Sequence, residues 1–522
     1  MRIRSAIAGA AALGLLAAGA PGLAAAEDDP GPARFYQQKI KWGACDLPNA
    51  PKDMRCGTVT VPLDYAAPDK GTVKLAVGRI PASTKPKGSV LVNFGGPGGP
   101  GVSGIADLAK PLGDLTDTYD VVGFDPRGVG QSSPVTCGDG EGLPEPTENG
   151  VRAEIAYLRK AYEQCKKLSG PVLEHMGTVN VSRDMDIMRA ALGDKKLTYL
   201  GFSYGTRLGA VYAAQFPKKV HRMALDGVDT LVEPLAEQGL ISAEGQQTAL
   251  DDFITWCTGN AGCVLGDDAR TAREGMDELV RGLDDKPLET ADGLQFSGDD
   301  LVNSIGAALY QRALWPYLSQ ALGALGSDGD PMPLLRLTGS VPTGQGQGQG
   351  QGLGHPAGRT PAPRLAPGKI PSDNETTALV AVNCADDPDR PSVAQLEAEE
   401  KSGKLLKEYT AASPVFGPSR LQSVISCAGL PKGTDFIRKI HNVDTPKIVL
   451  VGTRGDPATP YRWTEETAGR LGGSAVVIDN RGEGHTGYMS SKCVHQKVDD
   501  YLMYGNVPRT GASCGADEES DS

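Results

Sequence analysis

The chain has 522 residues, with 52 Lys and Arg against 64 Asp and Glu and a formal net charge of −12. An acidic chain lacks the net basic face by which proteins bind nucleic acid or anionic membranes non-specifically, so we expect neither partner. The 68 Gly and 38 Pro residues, with few charges, exclude a coiled coil and indicate a globular protein with many loops.

The first 26 residues have the features of a secretory signal peptide. Arg2 and Arg4 precede an apolar run from Ile7 to Ala20, and the alanines at 24–26 fit the small-residue cleavage pattern. The apolar run is shorter than the roughly 20 residues that a transmembrane helix needs. We therefore predict a secreted, extracellular protein that has no membrane anchor.

All ten cysteines lie beyond this segment. An even number of cysteines in a secreted chain predicts disulfides, although the number alone leaves the connectivity open. There is no Cys-x-x-Cys sequence and no histidine at zinc-binding spacing from a cysteine pair, so we expect no metal site and no cofactor. The spacing favours pairs of neighbours along the chain, namely Cys45–Cys56, Cys137–Cys165, Cys257–Cys263, Cys384–Cys427 and Cys493–Cys514.

Short apolar segments alternate with longer segments of helical character, which is the pattern of an α/β protein. After the first two, most of these segments are apolar throughout, as expected for a parallel sheet that is covered on both faces. The predicted strands are 58–63, 73–80, 89–94, 119–124, 197–202, 220–225, 447–451 and 475–478.

The character of the chain changes between about 231 and 440, where helical patterns replace the apolar strands. We interpret 231–440 as a mainly helical cap, inserted between the two parts of a sheet domain at 27–230 and 441–514. Within the cap, 343–371 begins with a Gln-Gly repeat and continues in a proline-rich stretch, a composition that cannot build a packed core. We predict a flexible loop there and a disordered acidic tail over 515–522.

A serine lies in a sequence typical of hydrolase nucleophiles. Ser203 is the centre of Gly-Phe-Ser-Tyr-Gly and directly follows the predicted strand 197–202. Small residues on both sides of a serine permit a sharp turn from strand to helix, which presents the hydroxyl at the carboxyl end of a sheet. A serine attacks only when a base takes its proton, and in this fold the partners follow in the order Ser, acid, His.

Two histidines follow all the candidate acids. His485 lies in a glycine-rich loop after a predicted strand and is our predicted base, whereas His495 is interpreted as a surface residue on a helix. Asp456, just after another predicted strand, is favoured as the acid that orients the imidazole. Asp226, at the end of the preceding strand, is the alternative acid, although an Asp before Gly is commonly a turn former.

A glycine-rich turn at 93–99, with the sequence Asn-Phe-Gly-Gly-Pro-Gly-Gly, ends the third predicted strand. Glycines there let backbone N–H groups approach a substrate closely. We predict that the N–H groups of Gly96 and Tyr204, the residue after the nucleophile, hold the oxyanion of the tetrahedral intermediate. A phosphate cradle is disfavoured, because Pro97 removes a donor and no Gly-Lys-Ser/Thr follows.

A second polar turn follows the fourth predicted strand, with the sequence Asp-Pro-Arg-Gly. We interpret Asp125 and Arg127 as a structural ion pair that shapes this loop near the site.

Together these motifs resemble a known family. The sequences Gly-Gly-Pro-Gly-Gly, Asp-Pro-Arg-Gly-Val-Gly-Gln-Ser, Gly-Phe-Ser-Tyr-Gly-Thr, Gly-Asp-Pro and Gly-His are similar, in order and spacing, to the secreted tripeptidyl aminopeptidases of actinomycetes. The resemblance covers 42–514 and implies an α/β-hydrolase fold related to that of prolyl iminopeptidases. It implies the same triad and oxyanion donors, and an acyl-enzyme on Ser203 that releases tripeptides from free amino termini. Prolyl iminopeptidases usually have His where this chain has Phe94.

An exopeptidase must recognise the cationic amino terminus of its substrate, and carboxylates suit that task. The candidates in the predicted cap are Glu375, Asp386 and Asp387. The expected partners are therefore peptide substrates, and we expect a monomer. Two other functions stay open: a carboxylesterase or lipase, since the same triad cleaves esters, and an inactive binding protein that keeps the fold.

Overall fold

A computed structural model describes residues 33–138, 150–290, 293–338 and 370–515, without the side chains of 422 and 423. The predicted signal peptide at 1–26, nearly all of the predicted loop 343–371 and nearly all of the predicted tail 515–522 lie outside these residues.

Strands and helices alternate along the first half of the described chain, and helices dominate the third quarter. The strands are β1 (Gly43–Ala44), β2 (Arg55–Pro62), β3 (Thr72–Ile80), β4 (Ser89–Asn93), β5 (Asp120–Phe124), β6 (Leu197–Phe202), β7 (Val220–Asp226), β8 (Leu288–Glu289), β9 (Gln295–Phe296), β10 (Ile448–Gly455), β11 (Ala475–Glu483) and β12 (Ala512–Cys514). The α-helices are α1 (Ala33–Tyr36), α2 (Gly101–Asp107), α3 (Val151–Ser169), α4 (Thr178–Leu192), α5 (Tyr204–Gln215), α6 (Leu235–Thr258), α7 (Ala269–Asp285), α8 (Gly298–Leu309), α9 (Trp315–Asp328), α10 (Met332–Leu337), α11 (Asn374–Asp386), α12 (Val393–Ser402), α13 (Lys404–Ala412), α14 (Gly417–Ile425), α15 (Tyr461–Leu471) and α16 (Lys492–Tyr504).

The main sheet has the strand order β1-β2-β3-β5-β4-β6-β7-β10-β11-β12. The pairs from β1 to β5 along this order are antiparallel, and every pair from β5 to β12 is parallel. The eight predicted strands correspond to β2–β7, β10 and β11, so the prediction of an α/β sheet is confirmed. The parallel arrangement brings the carboxyl ends of β4, β6, β7, β10 and β11 to one edge of the sheet.

Successive residues of the central strands enter two different cores. Every residue of β6 is buried. Tyr199 packs among residues of α4 and α5, including Leu208. Leu200 belongs to the core on the opposite face, together with Ile105 of α2 and Val498 of α16. A strand buried on both faces has no polar side, which explains the continuous apolar runs in the sequence.

The helices between β7 and β10 lie in the region that the sequence analysis interprets as a cap. Helices α6 to α10 bury a core of their own, which includes Phe253, Ile305 and Trp315. Helix α6 also touches the sheet domain, because a Cβ placed on Gly245 would lie 2.6 Å from Pro460 Cγ. The insertion therefore has an independent core and packs on the edge of the sheet where the parallel strands end.

The ten cysteines form five disulfides, and the pairs are those that the spacing favours. Disulfides persist in oxidising surroundings and are rare in a reducing cytosol, so this number of bridges indicates an extracellular protein. Within the described ranges, no helix combines the length and the apolar character that crossing a membrane requires.

The turn after β5 differs from its prediction. Arg127 is buried and pairs with Asp184 of α4, with Nη2–Oδ1 at 2.6 Å and Nε–Oδ2 at 2.7 Å. Asp125 instead accepts the N–H groups of Val102 and Gln131. The predicted Asp125–Arg127 ion pair is therefore wrong, because each side chain finds a buried partner from another element. Burial raises the pKa of Asp125 to about 6.

Candidate active site

Ser203 occupies a strained turn between β6 and α5. Its backbone has φ 56° and ψ −128°, a conformation that residues other than glycine rarely adopt. A Cβ on Gly201 would lie 2.5 Å from Gly205 O, and one on Gly205 would lie 2.7 Å from Asn93 Oδ1. Both glycines are thus required by close contacts around the turn. The Ser203 N–H donates to the carbonyl of Asp226 at the end of β7 (2.9 Å).

The residue after this turn begins α5, so Ser203 lies at the amino end of a helix. The partial positive charge of a helix amino terminus stabilises negative charge that develops there. The serine therefore has the backbone setting of a nucleophile elbow, which is what the sequence predicts.

His485 lies on the loop after β11, beside the turn of Ser203. A Cβ placed on Gly227 would be 3.3 Å from His485 Cε1. Gly227 directly follows Asp226, the residue whose carbonyl binds the Ser203 N–H. His485 Nδ1 lies 2.9 Å from Oδ1 and 3.0 Å from Oδ2 of Asp456, which follows β10. The structure thus places His485 on Asp456 and brings the imidazole close to Gly227, the neighbour of the residue that binds the Ser203 N–H.

Asp456 is fully buried and receives several hydrogen bonds. The N–H groups of Ala458 and Thr459 each donate to it at 2.8 Å, and the Thr486 N–H donates at 3.2 Å. Burial by itself raises the pKa of this carboxyl. The charge and hydrogen bond of His485, together with the backbone N–H groups, outweigh burial and hold the pKa below its ordinary value. Asp456 is therefore ionised and held in place.

The tautomer of His485 follows from this contact. A carboxylate only accepts hydrogen bonds, so Nδ1 carries the proton, and Nε2 keeps the lone pair that can receive a proton from a serine. Burial lowers the pKa of His485, but the Asp456 carboxylate outweighs it and Asp226 adds to the effect, so the pKa lies above its ordinary value.

Asp226, the alternative acid, has different partners. Its carboxylate accepts the N–H groups of Gly487 (2.9 Å) and Tyr488 (2.7 Å). Burial raises its pKa to about 6. Asp226 therefore fixes the loop that carries His485, whereas Asp456 contacts the imidazole itself.

The glycine-rich turn after β4 lies against the nucleophile. A Cβ on Gly95 would be 2.8 Å from Ser203 Cβ and 3.2 Å from Tyr204 N. The Gly95 N–H already donates to Asn93 Oδ1. Within the described part of the chain, the N–H groups of Gly96 and Tyr204 have no acceptor. This arrangement suits the predicted role of these two groups as oxyanion donors.

The three carboxylates predicted to recognise an amino terminus occupy different places. Glu375 lies in the first turn of α11, and its carbonyl oxygen would be 2.8 Å from a Cβ placed on Gly98 of the glycine-rich turn. Its side chain is accessible to solvent, yet nearby protein atoms displace enough water to raise its pKa. Among the described residues, no cation pairs with it.

The other two carboxylates are already bound to protein groups. Asp386 is buried and accepts the N–H of Thr178 at the start of α4 (2.8 Å). Asp387 accepts from Arg438 (2.8 Å) and from the Leu235 N–H (2.9 Å). The Asp386 contact joins the inserted helices to the sheet domain, whereas both Asp387 contacts lie within the insertion. Among the described residues, the two aspartates thus have protein partners, unlike Glu375.

Two residues that the sequence analysis did not single out contact His485. The backbone carbonyl of Tyr310, at the end of α8, accepts the backbone N–H of His485 at 2.8 Å. The two side-chain rings meet edge to face, with their centroids 5.0 Å apart. Thr459 Oγ1 donates to Asp456 at 2.9 Å and lies 3.4 Å from His485 Nδ1. The Asp-x-x-Thr spacing is a local signal for Thr459. No local signal marks Tyr310, because it comes from the insertion.

Comparison with known protein families shows to which family this chain belongs. Residues 89–335 match the model described as the alpha/beta hydrolase fold, and residues 413–514 match the model described as TAP-like protein. The serine protease Hip1 of Mycobacterium tuberculosis is 33% identical, over 91% of this chain and 91% of its own length. This chain belongs to the TAP-like family of α/β-hydrolases.

Two further relatives show which activities occur among proteins similar to this TAP-like hydrolase. A tripeptidyl aminopeptidase of Streptomyces coelicolor is 30% identical, over 92% of this chain and 87% of its own. A carboxylesterase B of Mycobacterium tuberculosis is 31% identical, over 96% of each chain. With its relatives and its own site taken together, the TAP-like chain is a serine hydrolase of the tripeptidyl aminopeptidase type.

Proposed function

We propose that this protein is a secreted serine exopeptidase that releases tripeptides from peptides with a free amino terminus. The observation that carries the proposal is the contact of His485 Nδ1 with both carboxylate oxygens of Asp456, beside the strained turn of Ser203. The tripeptidyl aminopeptidase relatives support the choice of substrate. The complete set of triad residues counts against an inactive binding protein.

In the first half of the reaction, His485 Nε2 takes the proton of Ser203 while Oγ attacks the carbonyl carbon of the third substrate residue. The N–H groups of Gly96 and Tyr204 stabilise the oxyanion of the tetrahedral intermediate. The imidazolium then gives its proton to the departing peptide nitrogen, and the C–N bond breaks. The tripeptide is left as an ester on Ser203.

In the second half, His485 takes a proton from water, which attacks the ester carbonyl. The tetrahedral intermediate collapses, the proton returns to Ser203 Oγ, and the tripeptide leaves with a free carboxylate. Asp456 stabilises the imidazolium in both halves, and its lowered pKa keeps it ionised for that purpose.

The amino terminus of the substrate needs an anchor, and Glu375 is our candidate. Its backbone lies beside the glycine-rich turn, and its side chain is accessible. A carboxylate that pairs with an ammonium group gains a charge-assisted hydrogen bond, worth about 1.5–3 kcal/mol.

A carboxylesterase is the second candidate function, because a carboxylesterase relative covers nearly the whole chain. The same triad cleaves an acyl ester by the same steps, so the triad alone does not select between the two reactions. The two candidates differ in whether the substrate needs a free amine.

The test compares hydrolysis of a tripeptide arylamide with that of its N-acetylated twin, with Ser203→Ala as the blank. We expect only the free-amine substrate to be cut. Equal cleavage of both would replace the exopeptidase by an endopeptidase or broad amidase. Cleavage of neither, with hydrolysis of a simple acyl ester, would establish the esterase instead.

The variant Glu375→Gln tests the anchor. We expect KM for the free-amine substrate to rise roughly 10- to 100-fold with little change in kcat, because the lost interaction binds the substrate and not the reacting bond. Glu278→Gln, at an exposed glutamate of α7, is the matched control and should behave as wild type. An unchanged KM for Glu375→Gln would remove Glu375 from the proposal and leave the triad untouched.

A further inference from the structure

Three potential metal ligands meet where α16 faces the 3₁₀ turn Gly113–Asp117. His495 Nε2 lies 3.2 Å from Asp499 Oδ2 and 3.7 Å from Asp114 Oδ2, and all three atoms lie within 4.8 Å of one another. We propose that Asp114, His495 and Asp499 bind one divalent transition-metal ion, with zinc as the best match.

The orientation of His495 supports this proposal. Its Nδ1 lies 3.2 Å from the carbonyl oxygen of Tyr488, which can only accept, so Nδ1 carries the proton in that bond. Nε2, the nitrogen without that proton, lies near both carboxylates, at 3.2 Å from Asp499 Oδ2 and 3.7 Å from Asp114 Oδ2. A metal ligand histidine typically has this arrangement, in which the far nitrogen donates to a carbonyl or carboxylate and the near nitrogen binds the ion.

Asp499 supplies an independent observation. Its side chain is only 6% exposed, and its Oδ2 is buried without accepting a hydrogen bond. Its close polar neighbour is His495 Nε2 at 3.2 Å, and the two carry opposite charges only when the imidazole is protonated. A buried carboxylate oxygen that accepts no hydrogen bond is costly. A cation bound to both Asp499 Oδ2 and His495 Nε2 would compensate the buried charge of this oxygen.

The spacing of the ligands favours zinc. Bonds of 2.0–2.2 Å in tetrahedral geometry place two ligand atoms about 3.3 Å apart, close to the 3.2 and 3.7 Å between His495 Nε2 and the two carboxylates. One imidazole and two carboxylates form a donor set that zinc accepts, and Asp114, 77% exposed, leaves room for a water ligand. The sequence analysis expects no metal site because it considers only cysteine spacing, and these three residues come from two distant segments.

Tyr488 connects this cluster to the active site. Its hydroxyl donates to Asp499 Oδ1 (2.7 Å), and its ring stacks on His495. On the other side, its N–H donates to Asp226 and its ring meets Phe202 edge to face at 5.8 Å. A bound ion would therefore fix the loop that carries the catalytic base. The ion would stabilise the fold there and take no part in the bond changes.

The experiment uses the purified protein, treated with a chelator and dialysed into metal-free buffer. Zinc chloride is then added, and zinc content per chain, affinity and melting temperature are measured. We expect one tightly bound zinc ion and a higher melting temperature. Asp114→Asn should weaken zinc binding at least tenfold, and His495→Gln should abolish it.

Asp500→Asn is the matched control, because Asp500 is an exposed neighbour on α16 and carries the same charge. It should bind zinc as wild type does. Asp114 is exposed, so its replacement by Asn leaves the fold intact and the result interpretable. Failure of the wild-type protein to bind zinc would overturn the proposal, and so would wild-type affinity in Asp114→Asn and His495→Gln.

Discussion

Two buried aspartates at the ends of neighbouring strands have different surroundings and therefore different expected roles. Asp456 contacts the imidazole of His485, whereas Asp226 accepts backbone N–H groups from the same loop. Asp456→Asn should lower kcat/KM by about 10⁴, because an amide favours the wrong tautomer of the histidine and cannot stabilise the imidazolium. Steady-state hydrolysis of the tripeptide arylamide measures this loss.

Asp226→Asn is the control for that measurement. It should lower the melting temperature, since it replaces one of the two buried oxygens that accept N–H groups by an amide donor, while retaining far more activity than Asp456→Asn. A folded Asp226→Asn protein that is less active than Asp456→Asn would reverse the assignment of the acid.

The pH dependence of catalysis follows from His485. The general base must be neutral to accept a proton, and the neighbouring carboxylates raise its pKa above the ordinary value of 6.5. Activity should therefore be present at high pH and fall as the pH drops through that raised pKa. The acid limb of a plot of kcat/KM against pH reports this value in the free enzyme. A midpoint below 6.5 would contradict the role given to Asp456.

At the scale of elements, disulfides tie the inserted helices together. Cys384 of α11 pairs with Cys427 after α14, 43 positions away, whereas Cys257 and Cys263 are only six apart. In the chain-entropy model, the long bridge stabilises the fold by about 4 kcal/mol and the short one by about 2 kcal/mol. Replacing both cysteines of the long bridge by serine should therefore lower the denaturation midpoint more than the same change in the short bridge. An equal or reversed effect would show that chain entropy does not govern these bridges.

Strands are predicted correctly from the sequence where burial gives them a recognisable run of apolar residues. β6 is buried over its whole length because both of its faces are covered. β1 and β12, with two and three residues, are too short to show any periodicity, and both lie at the edges of the sheet. Ser203 directly follows the predicted strand 197–202, and Asp456 lies five positions after the predicted strand 447–451. Their positions at strand ends mark them as the candidate nucleophile and acid.

For the molecule as a whole, contacts between distant segments limit what the sequence predicts. Arg127 finds Asp184 57 positions further along, and no local rule favours that partner over Asp125. Asp386 and Asp387 look free in the sequence, yet the fold supplies Thr178 and Arg438 as partners. Side-chain partners of this kind depend on how the helices pack, and local sequence patterns do not specify that packing.

One contact joins the two parts of the molecule at the point where the chemistry occurs. The backbone N–H of His485 donates to the carbonyl of Tyr310, which ends a helix of the insertion. Any opening that lifts α8 from the sheet must break this bond and take the Tyr310 ring from the imidazole. A displacement of the insertion would therefore also release the loop that carries His485.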